Sequence, residues 1–406
     1  MKIKAFNHAL RPTPEIACRL SCLPYDVMNA EEAARMAAGN PVSFLHVERA
    51  EIDLPAGTDP YNEAVYQKSR ENFLRLQKEG HLIRDNENCV YLYQQQMGDH
   101  IQRGLTALCH VDDYNSDVIK KHEKTRLAKE NDRLKLNCTL GAHPGLVFLT
   151  IADNAEIDHL IEKTVQEKPL YDFTADDGIR HTAWRINLPE PWVKAFEKVS
   201  TAYVADGHHR SAAAARVGKL MREKNPAHTG QEDYNWFPAV IFPASQLKVL
   251  PYNRTVADLN GRTPEAFLKA LSEVAPLREN AGPDPKRPGE VHIYLGGKWY
   301  AITLAAAPDA DPVSSLDVSM LQDRVLKPLL NIEDPRTSDR IDFIGGIRGT
   351  GELERLVDTG KAAVAFSMYP VTIAQLMAIA DAGQIMPPKS TWFEPKLRSG
   401  LFIPTF

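Results

Sequence analysis

The chain has 406 residues, of which 43% are hydrophobic and 25% charged, and its formal net charge is -5. That length buries a large core and predicts two or three domains, while the slightly acidic balance gives no general attraction to nucleic acid or to an anionic membrane surface. Five cysteines (Cys18, Cys22, Cys89, Cys109 and Cys138) form no C-x-x-C pair, and there is neither a signal-like apolar start nor a membrane-length apolar run, so a reduced, cytoplasmic protein without a finger-type zinc site is expected.

Residues 1–110 read as one α+β region. Asn29 is placed to cap a short helix that has Glu31 and Glu32 in its first turn and Gly39 at its end. Pro41–Val47 reads as a strand. Residues 59–79 put Tyr61, Val65, Phe73 and Leu76 on one face and stop at Gly80, an amphipathic helix. Cys89–Gln96 and Ile101–Val111, separated by Gly98-Asp99, predict a β-hairpin. In the second region, 111–255, strands are expected at Gly145–Ile151, Thr182–Ile186, Trp236–Phe242 and Leu247–Leu250, with helices at Glu156–Glu162 and Trp192–Val199. The third region, 256–406, contains a linker-like exposed loop at Asn280–Gly289, followed by a hairpin through Gly296-Gly297. Helices near 314–329, 350–358 and 371–382 then alternate with the apolar runs Ile341–Ile344 and Ala362–Met368. Strands and helices interleave without a regular repeat, so the class is α+β.

The most informative stretch is Thr201-Ala-Tyr-Val-Ala-Asp-Gly-His-His-Arg-Ser211, a short strand that runs through a glycine into an alanine-rich helix. Gly207 permits a sharp turn and close ligand approach. The first helical turn leaves N–H groups unpaired at the positive end of the helix dipole, which attracts an anion. Asp206, Gly207, His208, His209, Arg210 and Ser211 are the candidate phosphate-binding residues.

A second stretch, Ile119-Lys-Lys-His-Glu-Lys-Thr-Arg126, admits two readings. It is either a solvated charged helix, with Glu130 beneath Arg126, or a group that activates a hydroxyl, in which an ionised Glu123 accepts the proton beside His122, Thr125 and Arg126. Asp172–His181 is either a turn or a weak magnesium site through Asp176 and Asp177, with His181 a further phosphate candidate. Near the end, Met386–Gly400, with Lys389, Ser390 and Thr391 in its Pro-Pro-Lys-Ser-Thr segment, is either an irregular tail anchored by Trp392 and Phe393 or a wall of the ligand pocket, in which Lys389, Lys396 and Arg398 face an anion.

Pro24–Val27, Ser43–Val47, Ile119–Arg126, Ala205–Arg210 and Met386–Thr391 together resemble the bacterial and archaeal family catalogued as domain of unknown function 1015, over nearly the whole chain. The pairing of His-Glu-x-Thr with a later Asp-Gly-x-His-Arg is also similar to the free-serine kinases of the ParB/sulfiredoxin-like fold. That second resemblance implies a central ParB/sulfiredoxin-like nucleotide-binding unit flanked by N-terminal and C-terminal α+β regions. It makes Glu123 the base and Asp206, Gly207, His209 and Arg210 the phosphate site. Sulfiredoxin chemistry is excluded because a histidine, His208, stands where its cysteine is required. The expected activity is phosphoryl transfer from ADP or ATP, with Mg²⁺, to a small-molecule hydroxyl, L-serine first among them. The alternative is a nucleotide-binding regulator without turnover. A possible homo-oligomer is expected, with no nucleic-acid or membrane partner.

Overall fold

The computed structural model describes residues 1–85 and 87–406, and the chain divides into two compact units. The first comprises Met1–Leu247 together with the returning tail Pro395–Phe406; the second is Lys248–Glu394. Both mix helices with sheet, an α+β arrangement. Among the described residues no helix is long and apolar enough to cross a membrane.

The first unit is built on a nine-stranded mixed sheet to which residues 1–110 and 111–255 both contribute strands. Its centre is the predicted hairpin, Val90–Met97 with His100–His110, flanked by Arg180–Ile186 on one side and Trp236–Pro243 on the other. Val147–Ile151 follows, buried along its full length, and pairs with Ala202–Asp206, which pairs in turn with the two-residue edge strand Ile119–Lys120. The apolar run of each strand explains its burial: Val147, Leu149, Ile151, Ala202 and Val204 all enter one core with Trp192, Ala195 and Phe196 from the Glu190–Glu197 helix. The alanine-rich His208–Lys224 helix packs on this sheet and against the Leu127–Leu140 helix, because small side chains allow close approach.

The N-terminal elements hold as predicted at Asn29, which caps Ala30–Ala37 in a full capping box with Glu32, and at the long helix, observed at Glu63–Lys78. Pro41–Val47 differs. Leu45–Glu48 is a helical turn, since Phe44, Leu45 and Val47 must all reach one satellite core with Leu20, Phe73 and Leu76. An alternating strand would have sent one of them outward. The charged stretch after Ile119–Lys120 is irregular, with a bend at Glu123, and not helical as far as Arg126, and Glu130 pairs with Thr125 and Arg216 instead of Arg126.

The second unit carries a six-stranded antiparallel sheet in the order Arg278–Glu279, Lys298–Thr303, Glu290–Leu295, Val364–Met368, Tyr252–Val256, Ile341–Gly345. The Gly296-Gly297 hairpin lies in it as expected. The helix expected near 314–329 is present as a continuous helical run, Asp317–Leu321, Gln322–Leu326 and Lys327–Leu330, of which the middle segment is π-helical.

Candidate functional site

The strand order brings the two predicted stretches together. Ala202 pairs with Ile119 and Tyr203 with Lys120 in parallel, so both chains leave the sheet at the same end. One exits through His122 and Glu123, the other through Asp206 and Gly207. Glu123 Oε2 lies 3.5 Å from Nδ1 of His208, the first residue of the His208–Lys224 helix. The His122 and His208 rings meet edge to face with centroids 4.5 Å apart. The backbone N–H of Arg126 donates to His209 Nε2 at 3.0 Å, fixing the far end of the loop to the same helical turn. Thr125 Oγ donates to Glu130.

The corner itself depends on Gly207, whose φ of +95° is a left-handed conformation that disfavours side chains. A second constraint acts there, because a Cβ on Gly207 would stand 3.1 Å from both Cζ and Nε of Arg210. A register shift between Val204 and Asp206 against Val147–Ile151 marks a bulge just before the corner. Asp206 receives two cations, Arg210 Nη2 at 2.6 Å and Lys396 Nζ at 3.0 Å. Burial pushes its carboxyl up, but Lys396 and Arg210 outweigh that and hold it well below the usual carboxylate range. Arg210 is turned inward, donating also to the Leu146 carbonyl, and its pairing with Asp206 keeps it charged against burial. Ser211 spends its hydroxyl on the Gly207 and His208 carbonyls. The first internal bond of the helix runs from Ser211 N to Gly207 O, so the N–H groups of its first turn are not used within the helix.

His122, His208 and His209 are all pushed towards the neutral form. Burial, with the neighbouring His122, pushes His208 well below its ordinary value, and burial pushes His122 down to about 4 despite Asp206. His209 is lowered by burial and partly restored by Asp26 and Glu130.

Lys396, which the sequence places with Lys389 and Arg398 in a basic C-terminal stretch able to face an anion, pairs with Asp206 instead. It belongs to the tail, which rejoins the first unit after the whole second unit has intervened, through backbone bonds between Ser399 and Cys22 and between Ile403 and Leu10. Gln95 Nε2 donates to the Lys396 carbonyl at 2.8 Å, and Arg398 Nε to His181 Nε2 at 3.2 Å. His181 is buried, bonded through Nδ1 to the Tyr93 hydroxyl at 2.7 Å, and kept far below its ordinary value by burial and by Arg398. Asp176 and Asp177 lie in the hairpin turn between Tyr171–Thr174 and Arg180–Ile186, with Asp177 bridged to Arg398. Lys389, Ser390 and Thr391 fall in the second unit, where Arg254 Nη2 donates to the Lys389 carbonyl and Ser390 Oγ to that of Pro387.

A family model described as protein of unknown function, DUF1015, matches residues 3–319. The chain belongs to that family. No curated protein matches it. Solved structures similar to this member of the family include a free serine kinase variant in complex with AMP, 14% identical over 73% of this chain and 92% of its own, at a TM-score of 0.38. A conserved hypothetical protein from Pyrococcus furiosus is 14% identical over 73% of this chain and 94% of its own, at 0.36. C-terminally truncated SbnI from Staphylococcus aureus is 12% identical over 74% and 87%, at 0.40. At these scores the likeness identifies neither a substrate nor a reaction for the family.

Proposed function

We propose that the chain is a small-molecule kinase that transfers a phosphoryl group from ADP or ATP to a hydroxyl, with free L-serine giving O-phosphoserine, in a central ParB/sulfiredoxin-like unit. The observation that carries this reading is the 3.5 Å approach of the Glu123 carboxylate to the first residue of the helix that Gly207 opens. A base and an anion-attracting helix end share one corner. That is the minimum such transfer needs: positioning, charge neutralisation and a proton acceptor.

In this reading the first-turn N–H groups hold the polyphosphate. Arg210 and Lys396 act by fixing Asp206 and the strand end beneath the corner. Glu123 takes the alcohol proton as the new O–P bond forms, while the bond to the leaving phosphate oxygen breaks and its electrons stay with the nucleotide. Asp176 and Asp177 do not fit a magnesium ion, since Asp177 is held by Arg398 and, among the described residues, no three His, Cys, Asp or Glu side chains converge. Mg²⁺ comes with the nucleotide, as it does where most of its ligands are phosphate oxygens and water. A cytoplasmic enzyme of this kind acts on small molecules with no nucleic-acid or membrane partner, alone or as a homo-oligomer.

Incubating the full chain with ATP or ADP, Mg²⁺ and free amino acids, and reading products by mass spectrometry, tests the proposal. O-phosphoserine supports it, and the absence of any phosphorylated small molecule rejects it.

A further inference from the structure

Among the described residues, three ring nitrogens beside the Gly207 corner have no hydrogen-bond partner: both nitrogens of His122 and Nε2 of His208, in residues 1% and 5% exposed. Buried polar atoms are usually paired, and leaving them orphaned costs free energy that a chain rarely spends without use. Among the described residues, the nitrogen of the two rings that faces a charged acceptor is His208 Nδ1, 3.5 Å from Glu123 Oε2. His208 is surrounded by His122, His209 and Arg210, which oppose a positive charge on it, with Asp206 favouring one. A neutral imidazole carries one N–H, so its tautomer decides what it can do. With the proton on Nδ1, it donates to an acceptor-only carboxylate. With the proton on Nε2, the N–H points at no acceptor while a lone pair faces the carboxylate, which is repulsive.

We infer that His208 is the positioning residue of the base: its Nδ1–H holds the Glu123 carboxylate beside the helix end, aimed at the incoming hydroxyl. The inference rests on the phosphotransfer reading. It adds that one residue ties both ends of the transfer together, the main-chain N–H of His208 facing the phosphate and its ring aiming the base. The edge-to-face contact with neutral His122 keeps the ring in that orientation.

The test uses two replacements that separate the ring nitrogens. In His208→Asn the amide N–H takes the place of Nδ1, whereas in His208→Gln it reaches nearer the place of Nε2. His208→Ala is expected to lower kcat at least tenfold with the KM for nucleotide unchanged, Asn to restore most of the loss and Gln little of it. In a Glu123→Gln background, His208→Ala should cost nothing further, since there is no base left to aim. Equal rescue by Asn and Gln, or the same loss with and without the Glu123 carboxylate, overturns the inference. Histidine ¹⁵N spectra of the full-length wild-type protein read the tautomer without needing turnover or a folded variant. An Nε2–H signal for His208 overturns the positioning role. An Nδ1–H signal in a protein that phosphorylates no small molecule upholds the geometry and sinks the kinase reading alone.

Discussion

Replacing Gly207 by alanine isolates the corner on which the site is built. Two costs add. A left-handed backbone disfavours a non-glycine residue by about 1–2 kcal/mol, and the φ of +95° lies beyond the usual left-handed well. The new Cβ also stands 3.1 Å from Arg210 Cζ and Nε. That guanidinium has little room to yield, because Asp206 and the Leu146 carbonyl both grip it. Losing one charge-assisted bond adds about 1.5–3 kcal/mol, so with the backbone cost the total is about 2.5–5 kcal/mol. Gly178 supplies the control: its φ is +78°, and a Cβ there meets nothing within 4 Å, so Gly178→Ala carries the backbone cost alone. Urea unfolding of the full chain, followed by circular dichroism, compares the two variants. Nucleotide affinity should fall only in Gly207→Ala. Equal destabilisation by the two substitutions would refute the claim that Arg210 is pinned against the corner.

Further outcomes follow from neighbouring contacts. Asp206 is held below the unfolded carboxylate range, so it contributes stability above about pH 4 that is lost as pH falls towards its folded value. Lys396→Met raises that folded value, and the acid-unfolding midpoint should move up in pH; an unchanged midpoint contradicts the pairing. Arg133 is buried between Glu48 and Asp132, each at 2.7 Å, with its guanidinium 3.9 Å from the Tyr25 ring. Arg133→Met should therefore cost about 3–5 kcal/mol by leaving buried carboxylates unpaired, read as a lowered urea midpoint. Asn29→Ala removes a capping box and should cost about 1 kcal/mol by the same measurement, with no effect on nucleotide affinity.

Local chemistry was the part of this site that sequence made legible. The Ala202–Asp206 strand, the Gly207 turn and the helix from His208 follow from apolar β-formers, a glycine and a run of alanines within a few residues of one another. The pairing of Ile119–Lys120 with that strand was not legible on physical grounds. Two residues carry no periodicity, and parallel pairing across such a separation leaves no local signature. The partner of Lys396, a carboxylate of the chain and not a ligand anion, was hidden for a similar reason, since the tail returns only after the second unit is complete. Pro41–Val47 failed differently: its β-branched and aromatic residues suit a strand, but the satellite core around Phe73 and Leu76 needs Phe44, Leu45 and Val47 together, and packing overrode propensity. Arg210 looked like an arm for phosphate because its type and place suit one. Its inward turn depends on Asp206 and Leu146, and only the folded chain reveals that.

The central claim is that Glu123 works as a base at a phosphate corner, and comparing wild type with Glu123→Gln tests it most directly. Both proteins are given nucleotide and serine; O-phosphoserine is followed over time, and nucleotide binding is measured separately by calorimetry. The expected result is product from wild type, a turnover at least about a hundredfold lower in the variant, and nearly equal nucleotide affinity. Equal turnover in the two proteins, or binding without product in both, contradicts it.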